Sequence, residues 1–321
     1  AVGDGESVEQ VWQLPEDGTT EASDRLHPSA VSGAFETAME TAVEAVFGEG
    51  GRQATGVGTE GETAGAGPSR TALAFSGGVD SALLAARFDV PLYSVGFPDS
   101  HDVQTARETA ATLDRSLRIV DLDQDRLRAL VPTVAEAIGR TNAMDVQIAI
   151  PLFCVAQAVR ADGLDRLIVG QGADELFGGY EKVESAPTDP RVEATSVLGA
   201  RNEILGSLPG QIERDVRAIR AAGVEPVAPF LHDAVVRTAL QLPVEELVDS
   251  GTRKVALRRL AADSLLASVA ERPKKAMQYG TNVSRELDRL ARQAGFKRRM
   301  DDHVSQYIAS RVAGGDATDP V

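Results

Sequence analysis

The sequence predicts an α/β protein: a parallel β-sheet with helices on both faces, followed by a mainly helical C-terminal half. Three observations predict it. From Thr71 to Gly170, short apolar stretches alternate with segments of helical period. Two glycine-bearing turns, Ser76-Gly-Gly78 and Gly170-Gln-Gly172, each follow one of those apolar stretches. Beyond about residue 190 only helical spacing remains. Alternation of this kind gives parallel strands joined by crossover helices, and such sheets take ligands beyond the carboxyl ends of their strands.

In chain order, residues 1–28 are acidic and irregular, with one apolar patch at Val11-Trp12-Gln13-Leu14-Pro15. Val31, Phe35, Met39, Val43 and Val46/Phe47 fall at helical spacing, which predicts an amphipathic helix over 29–47 with Ser29 as its cap. Its apolar face needs a partner, either the body of the same chain or a separate protein. Residues 48–69 carry eight glycines and read as a tether. Strands are expected at Thr71–Phe75, Pro91–Gly96, Leu117–Asp121 and Leu164–Gly170. The intervening helices are expected at Ser81–Phe88, Val103–Leu113, Gln124–Ile138 and Pro151–Ala161. The helical half is read as Val197–Ser207, Ile212–Ala222, Leu231–Gln241, Arg253–Ala270 and Arg285–Arg292. The organisation expected is an N-terminal extension over 1–69, a principal domain over 70–313 and a frayed tail over 314–321.

Composition narrows the class. The formal charge is −15, and the only lysines are Lys182, Lys254, Lys274, Lys275 and Lys297. A diffuse acidic excess repels polyanions and anionic membranes, so neither nucleic acid nor membrane is an expected partner. Acidic, lysine-poor surfaces suit a salt-rich cytosol, and the chain reads as a halophilic one. Apolar runs are short and interrupted by charge, and the acidic N-terminus lacks the pattern of a signal peptide, so a cytoplasmic location is expected. Cys154 is the single cysteine, which excludes an internal disulfide and a multi-cysteine metal site, and its apolar setting predicts a buried thiol.

The chemistry is carried by Ala72-Leu-Ala-Phe-Ser-Gly-Gly-Val-Asp-Ser81, a strand that ends in a turn opening onto a helix. Gly77 and Gly78 let successive N–H groups approach an anion, the helix start adds partial positive charge, and Ser76 and Ser81 can donate hydroxyls. Asp80 repels phosphate directly and is better explained as a ligand for a bridging Mg²⁺, although a plain helix-start aspartate would look the same. In Val169-Gly-Gln-Gly-Ala-Asp-Glu-Leu-Phe-Gly-Gly-Tyr180, Asp174 can supply the second carboxylate. The first stretch resembles the SGGxDS loop of the ATP pyrophosphatase (PP-loop, HUP-like) superfamily and lacks the Gly-Lys-[Ser/Thr] ending of a Walker A loop. The second resembles the synthetase domain of the asparagine synthetase family, which includes β-lactam synthetases.

Supporting matches follow in the family's order: Tyr93-Ser-Val-Gly-Phe-Pro98 with Asp102, Asp145 through Pro151-Leu-Phe153, Pro229-Phe-Leu231, Lys254 with Leu257-Arg258, and Arg272 to Gly280. The resemblance covers roughly residues 70–285. It implies that Ser76, Gly77, Gly78, Asp80 and Ser81 bind pyrophosphate and Mg²⁺, that Asp174 completes the metal site, and that Ala74, Val95 and Gly170 surround the adenine of ATP. It also implies that Lys275 neutralises phosphate charge during adenylation, whereas the bare sequence equally allows Lys274 and Lys275 to be a solvated pair.

Three departures matter. Gln171 stands where asparagine synthetases carry Glu, and an amide cannot act as a general base, so Gln171 is a candidate for orienting substrate. Val227 and His232 replace an arginine and an aspartate of the family's Arg-Val-Pro-Phe-Leu-Asp run. The residues ahead of position 70 contain no cysteine, whereas glutamine-dependent members begin with a glutaminase domain whose N-terminal cysteine is the nucleophile.

The expected activity is an AMP-forming ligase that adenylates a small carboxylate, aspartate as the first guess. Its nitrogen would come from ammonia, a separate glutaminase or an amine-bearing substrate. An amine-specific, β-lactam-synthetase-like ligase and an ATP-binding regulatory protein without turnover are the alternatives. A tRNA-thiolating relative is disfavoured by the lone cysteine and the acidic surface.

Overall fold

The computed structural model describes residues 25–47, 70–186, 194–264, 267–270, 277–299 and 302–314. In chain order they form α1 (Pro28–Phe47), β1 (Thr71–Ala74), α2 (Val79–Arg87), β2 (Leu92–Gly96), α3 (His101–Thr112), β3 (Leu117–Asp121), α4 (Gln124–Ile138), α5 (Ala143–Ala161), β4 (Arg166–Ile168), α6 (Ala173–Leu176) and α7 (Glu181–Ser185). There follow α8 (Val197–Ala221), β5 (Glu225–Val227), a 3₁₀ turn (Pro229–Leu231), α9 (Asp233–Leu240), α10 (Val244–Leu247), a two-stranded hairpin of β6 (Val248–Asp249) and β7 (Thr252–Arg253), α11 (Val255–Ser264), α12 (Ala267–Ala270), α13 (Met277–Gly280), α14 (Val283–Gln293) and α15 (His303–Val312).

The main sheet is five-stranded and wholly parallel, in the order β3-β2-β1-β4-β5. The chain moves outward from β1 through β2 to β3, then crosses back to place β4 on the other flank of β1 and β5 beyond it. The switch point therefore lies between β1 and β4, where a doubly wound sheet opens a crevice at its carboxyl edge. Alternation along the strands divides the interior into two cores. Leu73, Leu92 and Ile168 face one core with α1 and α2, while Ala72, Tyr93, Val95, Leu167 and Val169 face the other with α4 and α5.

Helix α1 packs on the body of its own chain. Its Val31, Phe35, Met39 and Val43 are buried, and the ring of Phe35 lies 4.9 Å from that of Phe177, which in turn lies 6.2 Å from Phe230. Phe177 follows the short helix α6 that bears Asp174, so α1 backs the second glycine-bearing turn. Helix α5 is long and apolar enough to cross a membrane by length and composition, but most of it is buried between the sheet and α4, α8 and α14.

Several boundaries differ from expectation. Helix α5 starts at Ala143, eight residues before Pro151, because Asn142 accepts a hydrogen bond from the Asp145 amide and caps it there. Pro209 and Gly210 do not separate two helices. Helix α8 runs through them, with buried residues from Val197 to Ile219 holding both halves against the body. The expected Leu231–Gln241 helix begins after a 3₁₀ turn, and the segment from 253 is led by the hairpin, which had no sequence counterpart. Strand β5 and helix α15 were likewise unexpected. Residues 48–69 and 315–321 lie outside the described residues.

Cys154 is fully buried, and burial pushes its thiol pKa up to about 12. The native protein should therefore fail to react with a thiol-specific disulfide reagent at pH 8, and one equivalent should react after denaturation, as read by thiolate absorbance. Truncation of Phe35 to Ala should lower stability by about 3–5 kcal/mol in urea unfolding, because both the ring contact and the core volume are lost.

Candidate active site

Two loops leave the carboxyl edge at the switch point. The first, after β1, turns at Gly77, whose φ of +76° suits glycine, and a Cβ there would sit 2.6 Å from the Thr105 carbonyl oxygen. Thr109 Oγ1 donates to the Gly77 carbonyl at 2.9 Å, so α3 clamps the loop from behind. Gly78 occupies the N-cap of α2 in extended conformation with no side chain capping the helix, and this leaves the first turn's N–H groups facing the crevice. Ser76 Oγ and Ser81 Oγ lie 3.3 Å apart, and Ser81 Oγ also donates to the Gly78 carbonyl at 3.1 Å. Hydroxyls and a helix N-terminus thus meet at one point, the arrangement that accepts a phosphate.

The second loop, after β4, contains Gly170, Gln171 and Gly172. A Cβ on Gly170 would lie 3.9 Å from the Asp80 Cβ, so the two loops touch there. Gly172 has φ +90°, and a Cβ there would meet Leu231 Cδ2 at 2.3 Å. Ala74 and Val95, at the ends of β1 and β2, lie on the same core face as Val169.

The two loops are joined by a residue that sequence reasoning noted only as a match. Lys254 Nζ lies 2.8 and 2.6 Å from the two oxygens of Asp80, and 2.5 Å from Asp174 Oδ1. The hairpin β6–β7 delivers it, and the Lys254 amide donates to the Leu247 carbonyl at 2.7 Å. Its φ of +59° is costly for a side-chain-bearing residue, a strain that recurs where surrounding structure fixes a functional group.

Burial lowers the pKa of this ammonium, with Asp80 opposing. Contacts this short to two carboxylates need donated protons. Gly179 makes the fit possible: a Cβ there would come 2.0 Å from Asp174 Oδ1 and 2.4 Å from Lys254 Cε. The signal that could have singled Lys254 out is its rarity in a chain with so few lysines.

Gln171 faces a buried ionic chain. Its Nε2 donates to Asp215 Oδ2 at 3.3 Å, and Arg214 Nε donates to Asp215 Oδ1 at 2.8 Å. Arg214 Nη1 continues to Asp145 at 2.9 Å, which Arg140 and Asn142 also contact. Burial pushes the Asp215 carboxyl upward. An amide is the group that satisfies Asp215 here, since an ionised Glu at 171 would set two carboxylates against each other.

Nearby, Tyr180 Oη donates to Glu175 at 2.6 Å. The two other departures also find places. Val227 ends β5 and its carbonyl accepts from the Val169 amide at 2.8 Å, directly beside the second loop. His232 is a helix cap whose Nδ1 accepts from the Ala234 amide at 3.3 Å.

Lys274 and Lys275 lie outside the described residues. Their segment is flanked by α12, which packs on α2, and by Gly280, where a Cβ would strike Asp102 Oδ1 at 1.9 Å. Among the described residues no group of three or more His, Cys, Asp or Glu side chains is arranged to hold a metal ion. Asp80 and Asp174 converge on Lys254.

Residues 69–206 and 199–310 match the family model described as asparagine synthase. The chain belongs to that family. It is 30% identical over 273 residues to a Methanocaldococcus jannaschii protein named asparagine synthetase 1 (glutamine-hydrolyzing), which covers 74% of this chain and 50% of that protein. It is 26% identical over 194 residues to asparagine synthetase B (glutamine-hydrolyzing) of Escherichia coli, covering 60% and 34% respectively. A Brassica oleracea asparagine synthetase (glutamine-hydrolyzing) is 25% identical over 262 residues, covering 74% and 43%. The chain thus spans half or less of the length of these relatives.

Two substitutions test the geometry. Gly179→Ala should lower stability by about 2 kcal/mol or more in urea, since the new methyl displaces the Lys254–Asp174 pair. Gln171→Glu should cost about 1–3 kcal/mol at pH 8, and adding Asp215→Asn should restore most of it, as measured by the same unfolding experiment.

Proposed function

We propose that this chain carries out the ligase half of an amide-forming reaction: ATP is cleaved to AMP and pyrophosphate as a substrate carboxylate is adenylated, and the acyl group then passes to ammonia or an amine. The observation that carries this reading is the convergence of the β1 and β4 loops on the Asp80–Lys254–Asp174 group beside an open phosphate cradle.

In this reading the cradle of Ser76, Gly77, Gly78 and Ser81 holds the β- and γ-phosphates, which become the leaving pyrophosphate. Ala74, Val95 and Gly170 form the wall for adenine. Asp80 and Asp174 would suit a Mg²⁺ held mostly by phosphate oxygens and water, since among the described residues no third carboxylate, histidine or cysteine joins them. When bound, that ion neutralises charge on the phosphates. Lys254 orients both carboxylates and adds a fixed positive charge at the crevice floor. Lys275 is the proposed cation for the α-phosphate and the later oxyanion. Catalysis then rests on positioning and charge, as phosphoryl transfer generally does.

Aspartate is the first substrate to try. A different carboxylate is favoured by one specific feature: Val227 presents no charge beside the second loop, where an arginine would add a carboxylate-binding cation. Nitrogen comes from ammonia, a separate glutaminase or an amine substrate, and the site is proposed to work in a salt-rich cytoplasm.

The test is nucleotide product analysis with ATP, Mg²⁺, ammonium and a panel of carboxylates beginning with aspartate, at high salt. Carboxylate-dependent AMP and pyrophosphate should appear, and Asp80→Asn should reduce the rate by about 100-fold or more. Release of ADP and phosphate instead would contradict the reading. ATP binding with no cleavage across the panel would favour a regulatory role.

A further inference from the structure

Outside the active site, one apolar groove on the surface has no occupant among the described residues. It lies between α8 and α9, walled by Leu205, Leu208 and Ile212 on one side and Val236 and Leu240 on the other, with Leu231 at its floor and a volume of about 240 Å³. That is below the range of about 300–1,000 Å³ usual for cofactor and drug-sized ligands, and it suits one or two large side chains. Leu208, Ile212, Val236 and Leu240 are half-buried, so the groove is apolar where it meets solvent.

We propose that the groove is the seat of the chain's own segment Val11-Trp12-Gln13-Leu14-Pro15. The described structure begins at Arg25, and the Leu26 amide donates to the Gln241 carbonyl at 2.9 Å, one residue past the groove wall formed by Leu240. The Leu26 side chain packs on the core at that point, which delivers the preceding chain to the end of α9. Ten residues, 16–25, separate the apolar patch from Leu26. Extended, they reach about 33 Å. Helix α9 is about 12 Å long, so the patch can lie along it with chain to spare.

Glu16 and Asp17 follow the patch, and the exposed Arg237 at the groove rim is faced by Asp233 of the same rim at 3.7 Å, so the rim charge is balanced and the placement rests on chain length and direction. A tethered segment also has an advantage over any free partner, because a short linker gives a high effective concentration. The placement has a consequence for the active site. Leu231 and Leu176 line the groove, and Leu231 packs against Gly172, so the docked segment braces the loop that carries Gln171 and Asp174.

Trp12 is the only tryptophan in the chain, so intrinsic fluorescence of the full-length protein reads its surroundings directly. Native protein should give blue-shifted emission protected from acrylamide, independent of protein concentration. Leu208→Glu and Val236→Glu, each at a half-buried wall position, should separately shift the emission to the red and remove the protection while far-UV circular dichroism stays native. Emission that is already red and freely quenched in the wild type would overturn the proposal. So would protection that survives in a natively folded groove variant, or protection lost on dilution together with a dimer mass, which would assign the groove to a second copy.

Discussion

The architecture at the carboxyl edge depends on a single buried cation. Asp80 and Asp174 come from loops almost a hundred residues apart in sequence, and two carboxylates brought together in a poorly solvated crevice repel each other strongly. Lys254 removes that repulsion by contacting both, at 2.5 to 2.8 Å. Everything around it is shaped to make the contact available. The hairpin aims the side chain, Gly179 leaves the room for it, and the backbone of Lys254 accepts a left-handed conformation. The ionic group therefore joins the first loop, the second loop and the helical half into one site.

Glycine serves this design in a specific way. At Gly77 and Gly172 the backbone takes positive φ while lying against a neighbouring element, the Thr105 carbonyl in one case and Leu231 in the other. At Gly179 and Gly280 the missing Cβ admits an aspartate, Asp174 or Asp102. The Gly280–Asp102 contact brings distant segments to the same edge, which is how a crevice at a strand switch point acquires polar walls from the C-terminal half. Gln171 follows the same logic, since its amide completes the hydrogen bonding of Asp215 in a chain of buried charges that reaches back to Asp145 on α5.

Much of this could be read from the sequence because the signals are local. Apolar runs marked β1 to β4, the period of α1 and α4 was evident, and the Ser-Gly-Gly turn marked the loop proposed as a phosphate cradle. What escaped depends on tertiary contact. Glu225-Pro226-Val227 has neither length nor alternation, and it becomes β5 only because β4 offers it a free edge, where Pro226 can be accommodated. Helix α8 continues through Pro209 because burial on both sides outweighs a local break. Rarity could flag Lys254 but not its role, because its partners Asp80 and Asp174 lie 174 and 80 positions away and only the fold closes those contacts.

The most direct measurement is a double-mutant cycle between Asp80→Asn and Lys254→Met, read by equilibrium unfolding in urea at fixed high salt. If the buried cation is what holds the two loops together, each single change is strongly destabilising and the pair couples by about 2–3 kcal/mol. Effects that add to within about 0.5 kcal/mol would contradict the account, since the two residues would then act independently.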